Sequence, residues 1–343
     1  MTMTLALQNA RALFSSDGIE PPTRTPSTVV YDDGPHRLLR RYAPSATASG
    51  NPVLLVPPLA VDTSCYDLRP RQSLARFLVD SGRQPYVLDY GDITYADRNL
   101  GFEEWIDDIV PTAIARVSAE HGGAPVDVVA WSLGGTISLL TAASHADLPL
   151  ASVTALGTPI NYHRYPGFGP LMALGRFTGG NEIALPTKLL GGIPAVAVQA
   201  GFRGVALQRE LTKPLFVARN LHRTESLARM EAVDRFIDAM PGYPGRLYRQ
   251  VYRQLMIRNG LAKGTVHLSP GRVVELAKVT CRVLLVGSKT DTIAPAPAVA
   301  YGTKVLHSAA ELRYEEVSGV SHLGLVADPD AITWPIIEDF LRG

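Results

Sequence analysis

The most informative segment of the chain is residues 126–140, V-D-V-V-A-W-S-L-G-G-T-I-S-L-L. Its first half is a short apolar run, typical of a strand buried on both faces, and its second half has the pattern of a helix. Ser132 stands between them, with Ala130 two residues before it and Gly134 two residues after it. A serine held by small residues on a sharp strand-to-helix turn is typical of a nucleophile elbow. We therefore interpret Ser132 as a nucleophile, the alternative being that it only caps the helix.

Further predicted strands and helices alternate on both sides of this segment. Strands are predicted at 29–31, 38–42, 53–56, 86–88, 126–129, 153–156 and 283–286, and helices at 73–81, 102–121 and 132–143. Strands that alternate with crossover helices favour a mostly parallel sheet covered by helices on both faces. Together with the elbow, this order predicts an α/β-hydrolase fold with an edge hairpin over 29–42.

The alternation stops between Asn161 and Leu276, where the chain is rich in Gly, Pro and Arg and its stretches look helical. A helical insertion between two strands of such a sheet is most simply a cap over the carboxyl ends of the strands, where ligands bind. We therefore expect a core formed by residues 1–160 and 277–343, and a helical cap formed by residues 161–276.

An acid and a histidine must follow the serine in this fold, in that order along the chain. Asp291 lies in S-K-T-D-T-I-A-P, directly after the predicted strand 283–286, and His322 lies in V-S-G-V-S-H-L-G near the end of the chain. We predict that Asp291 orients His322 and that His322 acts as base toward Ser132. The alternative for Asp291 alone is a solvated turn residue.

An oxyanion hole requires two backbone amides. One belongs to the residue after the nucleophile, Leu133, and the other to the loop L-V-P-P-L-A-V-D that follows strand 53–56. Prolines carry no amide hydrogen, so Leu59 and Ala60 are the candidates, and the sequence leaves the choice between them open.

Three apolar side chains are our candidates for contact with substrate: Trp131 beside the nucleophile, and Leu189 and Ile193 in the predicted cap. The alternative is that they only pack the cap onto the core.

Composition excludes several classes of function. The 343 residues hold 33 Lys and Arg against 32 Asp and Glu, a formal charge of +1, so no basic field predicts nucleic-acid binding. The longest uncharged apolar run, residues 189–202, is shorter than the roughly 20 residues of a membrane span. The N-terminus has no signal-peptide pattern and the two cysteines make no disulfide framework, which predicts a cytoplasmic protein. We find no metal-binding motif and expect neither a metal nor a cofactor.

Several segments resemble the polyhydroxyalkanoate synthase family, in particular its shorter, class III catalytic subunits. The similar segments are V-L-L-V-P-P-L-A-V (53–61), Y-D-L-R-P-R-Q-S-L-A-R-F-L-V-D-S-G (66–82), Y-V-L-D-Y-G-D (86–92), A-D-R-N-L-G-F-E-E-W-I (96–106), R-F-I-D-A-M-P-G-Y-P-G-R-L-Y-R-Q-V (235–251) and N-G-L-A-K-G (259–264). The resemblance runs from Thr28 to the C-terminus and is weakest over 167–211.

The resemblance implies that Ser132, Asp291 and His322 match the nucleophile, acid and histidine of that family, and that an acyl ester or acyl thioester binds beneath the cap. Those synthases carry a cysteine at the elbow, whereas this chain has serine. We therefore expect a serine carboxylic-ester hydrolase (an esterase or lipase) for lipophilic acyl esters. The alternatives are an acyltransferase or synthase-like enzyme, or a non-catalytic lipid-associated relative. Contact with a lipid inclusion or membrane surface, and oligomerisation, stay open.

Overall fold

The central sheet brings together the chain segments that carry the candidate residues. The computed structural model describes residues 2–15, 18–43, 48–165, 169–330 and 332–343. The strands in this part of the chain are β1 (Ser27–Asp32), β2 (Leu38–Tyr42), β3 (Val53–Val56), β4 (Asp67–Arg69), β5 (Gln72–Ser73), β6 (Pro85–Asp89), β7 (Val126–Trp131), β8 (Leu150–Leu156), β9 (Gly192–Ile193), β10 (Tyr243–Pro244), β11 (Thr265–Ser269), β12 (Arg272–Glu275), β13 (Arg282–Ser288) and β14 (Leu312–Val317).

Within these residues, eight strands form one sheet in the order β1-β2-β6-β3-β7-β8-β13-β14. Neighbours from β6 to β14 run parallel, whereas β1 and β2 form an antiparallel hairpin at the edge. The predicted parallel sheet and edge hairpin are confirmed. Because parallel strands end at the same edge of a sheet, the segments that follow β7, β8, β13 and β14 meet there.

The alternation of side chains along the central strands divides the core into two layers. In β3, Leu54 and Val56 belong to one apolar cluster, whereas Val53 and Leu55 belong to the other. All four side chains are fully buried, which explains why the strand is a continuous apolar run with no polar alternation.

Helices cover both faces of the sheet. They are α1 (Thr2–Ala12), α2 (Leu74–Asp80), α3 (Phe102–Glu104), α4 (Val110–Glu120), α5 (Leu133–Ser144), α6 (Gly169–Thr178), α7 (Asn181–Leu190), α8 (Ala195–Val205), α9 (Leu207–Asn220), α10 (Thr224–Asp238), α11 (Gly245–Gln250), α12 (Ala296–Ala300), α13 (Gly324–Ala327) and α14 (Trp334–Arg342). A π-helical stretch, Trp105–Ile109, joins α3 to α4. The three helices predicted from the sequence are confirmed as α2, α3–α4 and α5. None of the helices in the described ranges has both the length and the hydropathy to cross a membrane.

The segment 161–276 is mainly helical, with α6 to α11 inside it, but part of it differs from the prediction. β11 and β12 form an antiparallel hairpin where helical structure was expected. Val266 and Leu268, two residues apart on β11, and Val274 on β12 are buried and join the same core cluster as α5, so the hairpin packs on the core. The sequence analysis overlooked this alternation of buried and exposed residues, which is typical of a strand. The division into core and cap itself stays a prediction.

Trp105 allows a test of how strongly the buried apolar core stabilises the fold. Its indole is fully buried and meets the Tyr90 ring edge-on, with ring centroids 6.0 Å apart. Trp105→Ala leaves a large cavity, so we expect the free energy of unfolding to fall by about 3–5 kcal/mol. Urea denaturation followed by circular dichroism measures this. Tyr95→Ala is the control, because Tyr95 is 58% exposed. An equal loss of unfolding free energy in the two variants would contradict the burial of Trp105.

Candidate active site

Ser132 lies on a strained turn between β7 and α5. Its φ of 53° and ψ of −122° are a backbone conformation that residues other than glycine rarely adopt. Two hydrogen bonds hold the turn: the Ser132 amide donates to the Leu156 carbonyl over 2.8 Å, and the Thr158 hydroxyl donates to the Ser132 carbonyl over 2.9 Å. Because Leu156 is the last residue of β8 and Thr158 lies just after it, the strand next to β7 fixes the position of the serine.

The glycines after Ser132 are required by close backbone packing. A Cβ atom on Gly134 would lie 2.4 Å from the Val56 carbonyl oxygen, and one on Gly135 would lie 2.0 Å from the Thr158 hydroxyl oxygen. Any larger residue at either position would force the helix away from β3 or β8. This packing also brings the loop after β3 against the start of α5.

Asp291 and His322 form a buried pair. The distance from His322 Nδ1 to Asp291 Oδ2 is 2.6 Å, and the two residues are only 6% and 4% exposed. The other carboxylate oxygen, Oδ1, accepts hydrogen bonds of 2.8 Å from the amides of Ile293 and Ala294. A carboxylate satisfied on both oxygens is suited to hold an imidazole in one orientation and to stabilise its charged form. The structure thus brings together the predicted acid and histidine.

The loop that carries His322 is attached to the elbow and to the acid loop. Trp131 Nε1 donates to the His322 carbonyl over 3.1 Å, and the Trp131 and His322 rings lie 5.0 Å apart. On the other side, the hydroxyls of Ser288 and Thr290 both donate to the Val320 carbonyl, over 2.6 and 2.8 Å. These contacts place His322 beside the residue that precedes Ser132.

The amides proposed for the oxyanion hole are available as donors. In the hydrogen bonds of the described residues, the amides of Leu59, Ala60 and Leu133 donate to no protein acceptor. Leu133 is the first residue of α5, where amide hydrogens have no partner within the helix. Ala60 has a φ of 60°, a second strained non-glycine residue near the elbow. The assignment of these amides stays a prediction.

An apolar cavity of about 220 Å³ lies against His322. Its lining comes from β7, α8 to α10 and the loops that carry Asp291 and His322, and consists of Trp131, Phe202, Val205, Ala206, Arg209, Val233, Phe236, Ile237, Met240, Thr290, Thr292, Ile293, Ser321, His322 and Leu323. Of the three side chains predicted to contact substrate, the cavity includes only Trp131. Leu189 is 72% exposed on α7, and Ile193 lines a separate pocket beside Gly191 and Tyr243. The apolar side chains of α7 and β9 are therefore not among the residues that line this cavity.

Two positioning residues escaped the sequence analysis. Thr158, two residues after the end of β8, holds the elbow through its hydroxyl. Gly157, with a φ of +55°, makes room for the histidine, since a Cβ atom there would lie 3.1 Å from His322 Cε1 and Nδ1. Their position at the end of the strand next to the nucleophile strand is the signal that identifies them.

The sequence matches no protein-family model. It is 23% identical over 294 residues to the poly(3-hydroxyalkanoate) polymerase subunit PhaC of Allochromatium vinosum, covering 84% of this chain and 80% of that protein. It is 24% identical over 323 residues to the subunit of the same name from Thiocystis violacea, covering 93% of this chain and 87% of that protein. The match covers only 64% of the Haloferax mediterranei subunit and 52% of the one from Cupriavidus necator.

Among solved structures, the chain is similar to one described as "LipS and LipT, two metagenome-derived lipolytic enzymes", with a TM-score of 0.51 and 13% identity, over 86% of this chain and 95% of that one. The predicted α/β-hydrolase fold is confirmed, and so is the resemblance to polyhydroxyalkanoate synthases.

Gly157→Ala tests whether the space beside His322 positions the ring. The added Cβ would lie 3.1 Å from the His322 ring and 2.7 Å from the Leu325 side chain, so the ring must give way by a few tenths of an ångström. A misplacement of about 1 Å costs about 100-fold in turnover, so this smaller displacement should cost roughly tenfold. Gly122→Ala is the matched control, because its φ of +65° gives the same backbone strain with no atom within 4 Å of the added Cβ. If ester turnover falls equally in both variants, the effect is backbone strain and the positioning role is wrong.

The two cysteines allow a test of an alternative nucleophile. Burial raises the pKa of the Cys65 thiol well above its usual range and that of Cys281 to about 11. Since the thiolate is the reactive form and appears only as the pH rises toward that pKa, about one Cys281 in a thousand is ionised at pH 8. We expect mass spectrometry to show no rapid alkylation of native protein by iodoacetamide at pH 8, with full reaction in urea as control. Rapid alkylation of the native chain would contradict this.

Proposed function

We propose that this chain is a serine carboxylic-ester hydrolase that acts on lipophilic acyl esters through Ser132, His322 and Asp291. The observation that carries the proposal is the buried pair of His322 and Asp291, joined over 2.6 Å beside the strained turn of Ser132. A nucleophile, a base and an orienting acid on three segments at one edge of a sheet match the requirements of acyl transfer.

In the first half of the reaction, Ser132 Oγ attacks the carbonyl carbon of the ester while His322 Nε2 takes its proton. Asp291 Oδ2 accepts the hydrogen bond from His322 Nδ1–H and stabilises the imidazolium. The amide of Leu133, with that of Leu59 or Ala60, donates to the oxyanion of the tetrahedral intermediate. As the intermediate collapses, His322 returns the proton to the leaving alcohol, and the acyl group remains on Ser132 as an oxygen ester.

In the second half, His322 takes a proton from a water molecule, whose oxygen attacks the acyl carbon. Collapse of the second intermediate returns the proton to Ser132 Oγ and releases the carboxylic acid. No metal or cofactor is needed to balance these steps. The apolar lining of the cavity beside His322 supports a lipophilic acyl group as the part of the substrate that it holds.

Acyl transfer to a hydroxyl group is the second candidate function. It is supported by the similarity to poly(3-hydroxyalkanoate) polymerase subunits over most of the chain. It uses the same residues, with a thioester as acyl donor and an alcohol in place of water. A non-catalytic, lipid-associated relative is the third candidate, and complete inertness of Ser132 toward a phosphonate probe would favour it.

Other parts of the proposal come from the sequence. A core of residues 1–160 and 277–343, a cap of residues 161–276 and a cytoplasmic location stay predictions, and contact with a lipid inclusion and assembly into oligomers stay open.

Ester turnover tests the proposal directly. With p-nitrophenyl esters of increasing chain length, we expect steady release of p-nitrophenol that rises with acyl length until the cavity is filled. Ser132→Ala removes the nucleophile and should abolish release, whereas Ser318→Ala, at an exposed serine before the histidine loop, should leave it unchanged. Activity retained in Ser132→Ala would mean another nucleophile. A single burst without turnover would favour the transferase, since the acyl-enzyme then waits for an acceptor other than water.

Asp291→Asn tests the role of the acid. The amide is nearly isosteric, but it lacks the charge that stabilises the imidazolium, so kcat should fall by about 10⁴-fold. Asp62→Asn is the control, because the Asp62 carboxylate accepts from the Ser64 amide in a turn after β3. An almost unchanged kcat in Asp291→Asn would show that the acid is misassigned.

A further inference from the structure

Large apolar side chains are exposed along one continuous stretch of the chain, residues 174–216. The exposed fractions run from 39% at Phe216 to 91% at Phe177. The members are Leu174, Phe177, Leu185, Leu189, Leu190, Val196, Val205, Leu207, Leu211, Leu215 and Phe216. Single exposed leucines are ordinary in proteins, but a set of this size on successive helices indicates an interaction surface.

Helix α9 turns its apolar side outward and its charged side inward. Leu207, Leu211 and Leu215 follow one another at intervals of four, so they share one helix face, and they are 56%, 73% and 51% exposed. Arg209 and Lys213, two positions further round, reach Asp234 of α10 over 2.7 and 2.8 Å. If α9 faced only water on its outer side, its leucines would be expected to point toward α10 and its charged side chains outward.

Helix α8 presents an exposed face without charge. Its exposed positions hold only small apolar residues: Val196, Ala197, Ala200, Gly201, Gly204 and Val205. Added Cβ atoms on Gly201 and Gly204 would meet nothing within 4 Å, so this face is open. Together with the leucine face of α9, it forms what we call the apolar face.

Positive charge accompanies the apolar face. Residues 169–223 hold seven Lys or Arg and two Glu, a net charge of +5, of which Asp234 and Asp238 of α10 neutralise a part. Within the described ranges, the ion pairs of this segment engage Arg203, Arg209 and Lys213, and none engages Lys188, Arg219 or Arg223. Arg219 lies one turn after Leu215 on the same side of α9, so an exposed cation without an ion pair adjoins the leucine face.

We infer that the apolar face binds a lipid surface that carries anionic head groups. Apolar side chains and unpaired cations on one helical surface are the combination that holds helices in a bilayer interface. A second copy of this chain would supply apolar contact, but it would bring two cationic segments together, which repel. The charge therefore favours an anionic lipid as the occupant.

The apolar face is continuous with the cavity beside His322. Val205 is 61% exposed, and it also lines that cavity together with Phe202 of α8. A chain docked through α8 would thus face its cavity toward the lipid, from which lipophilic molecules can enter. Binding itself does not depend on the proposed function, because it requires neither Ser132 nor His322.

Vesicle sedimentation of the full chain tests the inference, with the Ser132→Ala variant included to separate binding from catalysis. We expect stronger binding to vesicles of phosphatidylcholine with phosphatidylglycerol than to pure phosphatidylcholine. Leu207→Gln with Leu211→Gln should weaken binding by at least about tenfold, since two exposed leucines lose their burial. Arg219→Gln should weaken it by about fivefold, the contribution of one cation near an anionic surface.

Matched controls change the same residue types away from the face. Leu7→Gln, at a 59% exposed leucine of α1, and Arg11→Gln, at an exposed arginine one turn further along α1, should bind as the original chain does. Equal binding to both kinds of vesicle, or equal losses in the controls, would overturn the inference. So would a dimer, measured by light scattering without lipid, that Leu207→Gln with Leu211→Gln converts to a monomer, since a second copy would then cover the face.

Discussion

The close approach of α5 to the ends of β3 and β8 is the constraint on which the rest of the structure depends. Gly134 lies so near the Val56 carbonyl that no side chain fits between them, and the chain must turn through Ser132 with a φ of 53°. A strained residue of this kind costs roughly 1–3 kcal/mol and persists only where its surroundings over-determine it. Here the fully buried strands on either side and the hydroxyl of Thr158 supply that restraint.

The same edge of the sheet solves a second physical problem, the burial of a carboxylate. Asp291 is almost inaccessible to water, and an unpaired charge there would be costly. Two backbone amides and the His322 ring satisfy its oxygens. Ser288 and Thr290 then tie the acid loop to the histidine loop, so the pair is held from both sides. The loops are therefore ordered before any substrate binds.

Apolar residues have two distinct uses in this molecule. Those of the sheet and its covering helices are buried in two clusters, whereas many of those on α7, α8 and α9 are exposed. Sequence hydrophobicity cannot distinguish the two, because Leu189 and Leu139 are the same residue with exposed fractions of 72% and 0%. Leu189 and Ile193 show the same ambiguity, since Leu189 is exposed on α7 whereas Ile193 is partly buried against the core. Their contact with substrate stays a prediction.

The order of buried strands and helices, the small residues around Ser132 and the succession of serine, acid and histidine determined the fold class and the catalytic candidates from the sequence alone. These signals are local or depend only on chain order, so a single chain displays them. The tertiary structure decided what depends on the meeting of distant segments: the hairpin of β11 and β12 on the core, Gly157 and Thr158 as neighbours of the site, and the face that α9 turns outward. No local pattern specifies these, because each is set by which surface of another segment packs against it.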